Sequence, residues 1–230
     1  MIEVVAFDGD DTLWHHERIF TDISARFREL LKHHVDGNIL DEVLLATERS
    51  NLKFFGYGVK GFGLSLIETA LDVCDGEITG AEVATMLDWI KEMLGDPVEL
   101  LPGVEETVEA LRTTHRLGIV TKGDLFDQEG KIARSGLGER FDHVAIVSEK
   151  DETTYLRVFA DWGVSPERVL MVGNSVRSDI EPVLAIGGQA VHVPYDITWQ
   201  HEVVDAPQSD FPVFDDVRRV LGHVERLGRS

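Results

Sequence analysis

Ile2-Glu3-Val4-Val5-Ala6-Phe7-Asp8-Gly9-Asp10-Asp11-Thr12 joins a short valine-rich run, residues 2–7, to an acidic cluster containing a glycine. Apolar side chains at nearly every position suit a strand buried on both faces, and Asp and Gly favour turns. The stretch therefore predicts a buried strand that runs straight into a loop.

Similar runs recur at residues 117–120, 143–147, 169–172 and 190–193. Between them the apolar residues follow a helical period, over 104–111, 126–133 and 155–162, and a last amphipathic stretch covers 213–227. Strands alternating with helices imply right-handed crossovers and a parallel sheet covered on both faces, an α/β core of Rossmann-like type.

Residues from about 20 to 94 break the alternation, because only helix-period patterns occur there: Ile23, Phe27, Leu30, Leu31; Leu40, Val43, Leu44; Leu64, Ile67, Leu71; and Val83, Met86, Leu87, Ile90. Thr79-Gly80-Ala81-Glu82 has the form of a capping box ahead of the last of these. The simplest organisation is an all-helical domain, residues 19–95, inserted into an α/β core made of residues 1–18 and 96–230. Leu101-Pro102-Gly103 would mark the return to the core.

The chain has 230 residues, 43 % of them hydrophobic and 28 % charged, enough apolar material for a real core. Its formal charge of −20 opposes association with nucleic acid and with anionic membrane surfaces. The single cysteine, Cys74, allows no internal disulfide, and no run of apolar residues is long enough to cross a membrane. The sequence opens on MIEVVAFD, without a basic stretch or an apolar leader, so the expected location is cytoplasmic.

In an open parallel sheet, ligands bind at the carboxyl ends of the strands. The residues found there are Asp8-Gly9-Asp10-Asp11-Thr12, then Thr121-Lys122-Gly123, then Ser148-Glu149-Lys150, then Gly173-Asn174-Ser175 with Asp179 beyond. Two carboxylates two residues apart, a hydroxyl, lysines and a second acidic patch form a set suited to phosphoryl transfer. In this order, with a helical insert after the first, the four groups resemble the haloacid dehalogenase superfamily, in its phosphatase branch with a helical cap.

That resemblance implies a Mg2+-dependent phosphatase acting on a small soluble phosphorylated metabolite. Asp8 would be the nucleophile, dividing hydrolysis into two displacements through an aspartyl-phosphate. Asp10 would protonate the leaving alcohol and then take a proton from the attacking water, a role for which a raised pKa is expected. Thr121, Lys122 and Lys150 would bind the phosphoryl oxygens. Mg2+ would sit among Asp8, the backbone carbonyl of Asp10, Asn174 and Asp179, since hard oxygen ligands suit it. Many family members have an acid where this chain has Asn174. The amide still offers an oxygen but not a charge, which implies weaker metal binding.

The segment FFGYGVKGF, residues 54–62, reads as a loop between helices of the insert. Lys60 on it would reach the substrate from the cap. Asp11 reads as a turn residue. Adjacent histidines such as His15 and His16 point to different helix faces and have no cysteine partner, which argues against a zinc site there. Two other functions use the same scaffold. A dehalogenase would attack carbon with the same aspartate and need no metal, but that branch usually lacks a second carboxylate like Asp10. A phosphate-binding regulatory protein without turnover is the other, motivated by Asn174.

Overall fold

The structure is a computed structural model and describes residues 1–197 and 210–229. By chain contacts it divides into two units, Met1–Glu17 with Val98–Lys122 and Gln128–Ser230, and Arg18–Pro97 with Gly123–Asp127.

In the first unit, strand β1 (Val4–Phe7) is buried along its whole length. Successive strand residues point to opposite faces, so Val5 and Phe7 enter one apolar cluster and Val4 and Ala6 the other. Around it lie β2 (Arg116–Lys122), β3 (His143–Val147), β4 (Val169–Gly173) and β5 (Gln189–His192), all parallel, in the order β3-β2-β1-β4-β5. Every neighbouring pair being parallel, each connection must cross over a face of the sheet, and helices provide the crossovers. One face is covered by Val104, Val108 and Leu111, Ile132, and Val220 and Val224. The other is covered by Tyr155, Val158, Phe159 and Val183. The sheet and its two-sided cover are those read from the sequence.

The chain leaves β1 toward β2 and β3 on one side and returns to β4 on the other, so the strand order reverses beside β1. Ligand crevices form at such switch points, outside the carboxyl ends of the strands. Asp8 follows β1 there, and Asn174 follows β4.

The second unit is built from helices α1 (Glu17–Leu31, its first residue in the other unit), α2 (Gly37–Phe55), α3 (Val59–Val73) and α4 (Gly80–Gly95). Its core holds Ile23, Phe27 and Leu31, Leu40 and Leu44, Phe62, Leu66 and Ala70, and Met86 and Met93. Thr79 caps α4, with the reciprocal Glu82 contact of a capping box.

Several local expectations need correction. Residues 54–62 are not one loop: α2 runs through Phe55 and α3 starts at Val59, leaving Gly56-Tyr57-Gly58 as the connection and Lys60 on a helix. The glycines suggested a loop, yet Gly63 lies inside α3 because a side chain there would meet Ile90 at 2.2 Å. In α3 the buried face carries Phe62, Leu66 and Ala70; of the three residues read as its apolar stripe, Ile67 packs against the core while Leu64 and Leu71 are exposed. Strand β2 extends through Thr121 and Lys122 rather than stopping before them. The last helix begins only at Arg219, and Val213 instead bridges to His192 next to the sheet. Among the described residues no helix is long and apolar enough to cross a membrane.

Candidate active site

Asp8 is the first residue past β1, and its backbone N–H donates to the Val172 carbonyl of β4 at 2.9 Å, which ties it to the switch point. Its side chain is buried. Oδ2 accepts from Thr12 Oγ1 at 3.1 Å, and Oδ1 accepts from Lys150 Nζ at 2.5 Å. Lys150, from beyond β3, also donates to Asp179 Oδ1 at 2.6 Å. A turn of π-helix, Val176–Ile180, carries Asp179 back beneath β4, where Asp179 Oδ2 accepts from the Ser175 N–H at 3.0 Å. Tyr155, deep in the core, donates to the Ser178 carbonyl at 3.0 Å and pins that turn from below. Single-turn π-helices recur at functional sites.

Two buried carboxyl groups thus share one ammonium. Burial pushes the Asp8 carboxyl up to about 7, against the pull of Lys150 and with the charge of Asp179 adding to the rise. Burial also opposes the charge on Lys150, but Asp179 and Asp8 outweigh it and hold the ammonium well above its usual range.

Asp10 behaves differently from the expectation. Burial would raise its pKa, but His16, Lys131 and a hydrogen bond from Trp14 overcome burial and hold the carboxyl well below the usual carboxylate range. Trp14 Nε1 donates to Asp10 Oδ1 at 2.7 Å, Lys131 Nζ lies 3.0 Å from both oxygens, and Gln128 Nε2 donates to Oδ2 at 3.0 Å. His16 lies 3.4 Å away, but burial depresses it to about 4 despite the pull of Asp10, so at neutral pH it is uncharged. Lys131 is then the cation that keeps Asp10 ionised.

Thr121 Oγ1 accepts from Gln128 Nε2 at 2.7 Å. Lys122 Nζ lies 3.4 Å from both Glu149 Oε1 and Ser178 Oγ. Asn174 Oδ1 is 3.4 Å from Thr12 Oγ1, and the Asn174 carbonyl is 2.9 Å from a ring nitrogen of His192. The structure therefore links Asp8, Thr12, Lys150 and Asp179 directly, reaches Asn174 through Thr12, and joins Asp10 to Thr121 through Gln128. Lys60 is not among these contacts: within the helical unit its Nζ pairs with Asp124 Oδ1 at 2.8 Å and lies 5.4 Å from the Phe126 ring centroid.

Trp14, His16, Gln128 and Lys131 were not anticipated as site residues. Gln128 and Lys131 lie on a helix, Leu125–Arg134, in which both are buried together with Asp127 while Leu125 and Phe126 are exposed. Polar residues one turn apart on the buried side of a helix were the available signal.

As a possible metal site, the donors are all hard oxygens: the Asp8 and Asp179 carboxylates, the Asn174 amide and backbone carbonyls. Among the described residues no three His, Cys, Asp or Glu side chains converge as a ready ligand set. Such oxygens are nonetheless what a hard divalent cation takes as ligands, and Mg2+ ordinarily completes its shell with water and phosphate oxygens. The residues fit it.

Residues 2–187 match the family model described as haloacid dehalogenase-like hydrolase. A haloacid dehalogenase-like family hydrolase from Xanthomonas campestris superposes with a TM-score of 0.86 at 40 % identity, covering 99 % of this chain and 94 % of that one. A glyceraldehyde 3-phosphate phosphatase from Methanothermobacter thermautotrophicus is 25 % identical over 234 residues, 96 % of this chain and 98 % of the relative. The L-2-haloacid dehalogenase of Xanthobacter autotrophicus shares the fold at a TM-score of 0.68 and 16 % identity, covering 98 % of this chain and 99 % of that one. With a family match over most of its length and a buried aspartate, lysine and second aspartate joined at the switch point of its sheet, the chain belongs to the haloacid dehalogenase-like hydrolases.

Proposed function

We propose that this hydrolase is a Mg2+-dependent phosphatase that cleaves a small phosphorylated metabolite through an aspartyl-phosphate on Asp8. The observation that carries the reading is the pair of carboxylates after β1. Asp8 is held by Thr12 and Lys150, and Asp10, two residues on, is held separately by Trp14, Gln128 and Lys131. A nucleophile and an acid/base group with different partners are what two-step hydrolysis of a phosphate ester requires, whereas attack on a carbon–halogen bond has no need of the second. The phosphatase among the relatives supports the same choice.

Asp8 attacks phosphorus, and the ester oxygen leaves. Lys150 keeps Asp8 positioned and neutralises part of the charge that accumulates on the phosphoryl oxygens, with Thr121 and Lys122 as the other proposed contacts. Asp10 is ionised in the free protein and so is ready to act as base toward the water that cleaves the acyl phosphate. For the first step it must carry a proton, and an anionic phosphoryl group arriving beside it raises its affinity for one.

Asp8, the backbone carbonyl of Asp10, Asn174 and Asp179 would hold Mg2+. When bound, the ion would offset repulsion between carboxylate and phosphate and polarise the phosphoryl oxygens. The helical unit is proposed as the cap that excludes water and selects the leaving group. Lys60 would have to exchange Asp124 for the substrate to take part. The expected setting is cytoplasmic, with neither nucleic acid nor membrane as partner.

The test is phosphate release from a panel of phosphorylated metabolites and one aryl phosphate, with Mg2+ and with EDTA. Mg2+-dependent release supports the reading. Halide release from haloacids without metal would replace it with the dehalogenase alternative, and binding of phosphate esters with no turnover would favour a regulatory protein.

A further inference from the structure

Gln128 is buried to 1 % exposure between two groups to which the proposed reaction gives different tasks. Its Nε2 lies 2.7 Å from Thr121 Oγ1, 3.0 Å from Asp10 Oδ2 and 3.0 Å from the Lys122 carbonyl, while its Oε1 is buried with no hydrogen-bond partner. The amide orientation follows from these neighbours. A carboxylate and a carbonyl only accept, so the NH2 end must face them. Turning the amide over would set its oxygen against two others.

This orientation constrains Thr121. Because Nε2 is the donor, the Thr121 hydroxyl accepts, and its own proton must point away from Gln128. Thr121 lies at the end of β2, one register pair beyond Val120 and two beyond Ile119, which is opposite Phe7, so it stands beside the loop that follows Asp8. A side-chain carbon on Gly9 would in fact come within 3.1 Å of Thr121 Oγ1.

We infer that Gln128 is a positioning residue for phosphate recognition: by donating to Thr121 Oγ1, Asp10 Oδ2 and the Lys122 carbonyl, it aims the Thr121 hydroxyl proton at the phosphoryl group and fixes the Asp10 carboxylate relative to it. The inference rests on the phosphatase reading. Three acceptors compete for two N–H groups, so all three are drawn toward one point. Lys131, one turn further along the same helix, lies 3.0 Å from both Asp10 oxygens and leaves the carboxylate little freedom to swing.

The test is titration calorimetry of inorganic phosphate with the purified full chain in Mg2+, beside the KM of the best substrate in the panel. Gln128→Met keeps the volume and removes the donor. It should weaken phosphate binding by about tenfold, the scale of one lost hydrogen bond to a charged group. Gln128→Glu should lose more, because a carboxylate there accepts from Thr121 and turns the hydroxyl proton inward. In a Thr121→Val background Gln128→Met should cost clearly less, the contact to Asp10 alone remaining to be lost, a coupling that a merely structural role would not produce. Circular dichroism and melting establish that each variant is folded, and Gln128→Glu carries the test if Gln128→Met is not. Folded variants that bind phosphate as the wild type does, or an equal loss with and without the Thr121 hydroxyl, would overturn the inference alone. Wild-type protein that neither binds phosphate nor hydrolyses any phosphate ester would overturn the phosphatase reading with it.

Discussion

Asp179 packs against the backbone of Gly173 so closely that a side-chain carbon at Gly173 would lie 2.3 Å from Asp179 Oδ2. Glycine is thus required at the end of β4 for space, and what occupies the space is the carboxylate that Lys150 joins to Asp8. Gly173→Ala should push Asp179 out of this position, cost about 1–3 kcal/mol of stability as overpacking does, and raise the Mg2+ concentration needed for half-maximal activity. Urea unfolding and a Mg2+ titration of activity measure the two effects. An alanine variant unchanged in both would show that Asp179 has another resting place.

Lys150 touches both Asp8 and Asp179, and its side chain is 3 % exposed. Lys150→Met would leave two buried acids without their cation. Breaking a buried ionic cluster in this way should cost about 3–5 kcal/mol and abolish phosphate release. Denaturant unfolding beside activity tests this. A variant as stable and as active as the wild type would contradict the arrangement described.

Much of this centre could be read from sequence, and the reason is geometric. Asp8, Thr121, Lys150 and Asn174 all follow or finish strands of one parallel sheet, so chain order and apolar runs were enough to bring them to one edge. Asp179 needed more, since a π-helical turn and a glycine with room beneath it set its depth. The partners of Asp10 were hidden because the helix that bears Gln128 and Lys131 departs from the usual pattern, with these two polar residues buried and Phe126 exposed. Once Lys131 is placed against Asp10, the expected rise in its pKa becomes a fall. In the helical unit the helices were legible but the inward face of α3 only in part. Apolar residues occur on both sides of that helix, and the small residues Ala70 and Gly63 rather than Leu64 and Leu71 meet the neighbours.

Glu48, on α2 between the buried Leu44 and Asn51, is raised from 4.5 to about 7 by burial alone. A carboxyl that holds its proton more tightly when folded favours the folded state below the unfolded pKa. That contribution is lost as pH rises from about 4.5 through 7. Glu48→Gln should therefore match the wild type in stability near pH 4.5 and exceed it above pH 7, by about 1–2 kcal/mol once partial exposure is allowed for. Melting curves of both proteins across that range decide the matter. A constant difference at all pH values would mean that Glu48 titrates as an ordinary carboxylate.

In the proposed mechanism Asp8 carries the phosphoryl group. Acid-quenching the wild-type protein during turnover of an aryl phosphate in Mg2+, followed by peptide mass spectrometry, tests this directly. A phosphoryl adduct is expected on the peptide containing Asp8 and, in a folded Asp8→Asn variant, loss of both adduct and turnover. Undiminished phosphate release from Asp8→Asn, or an adduct on a different residue, would contradict it.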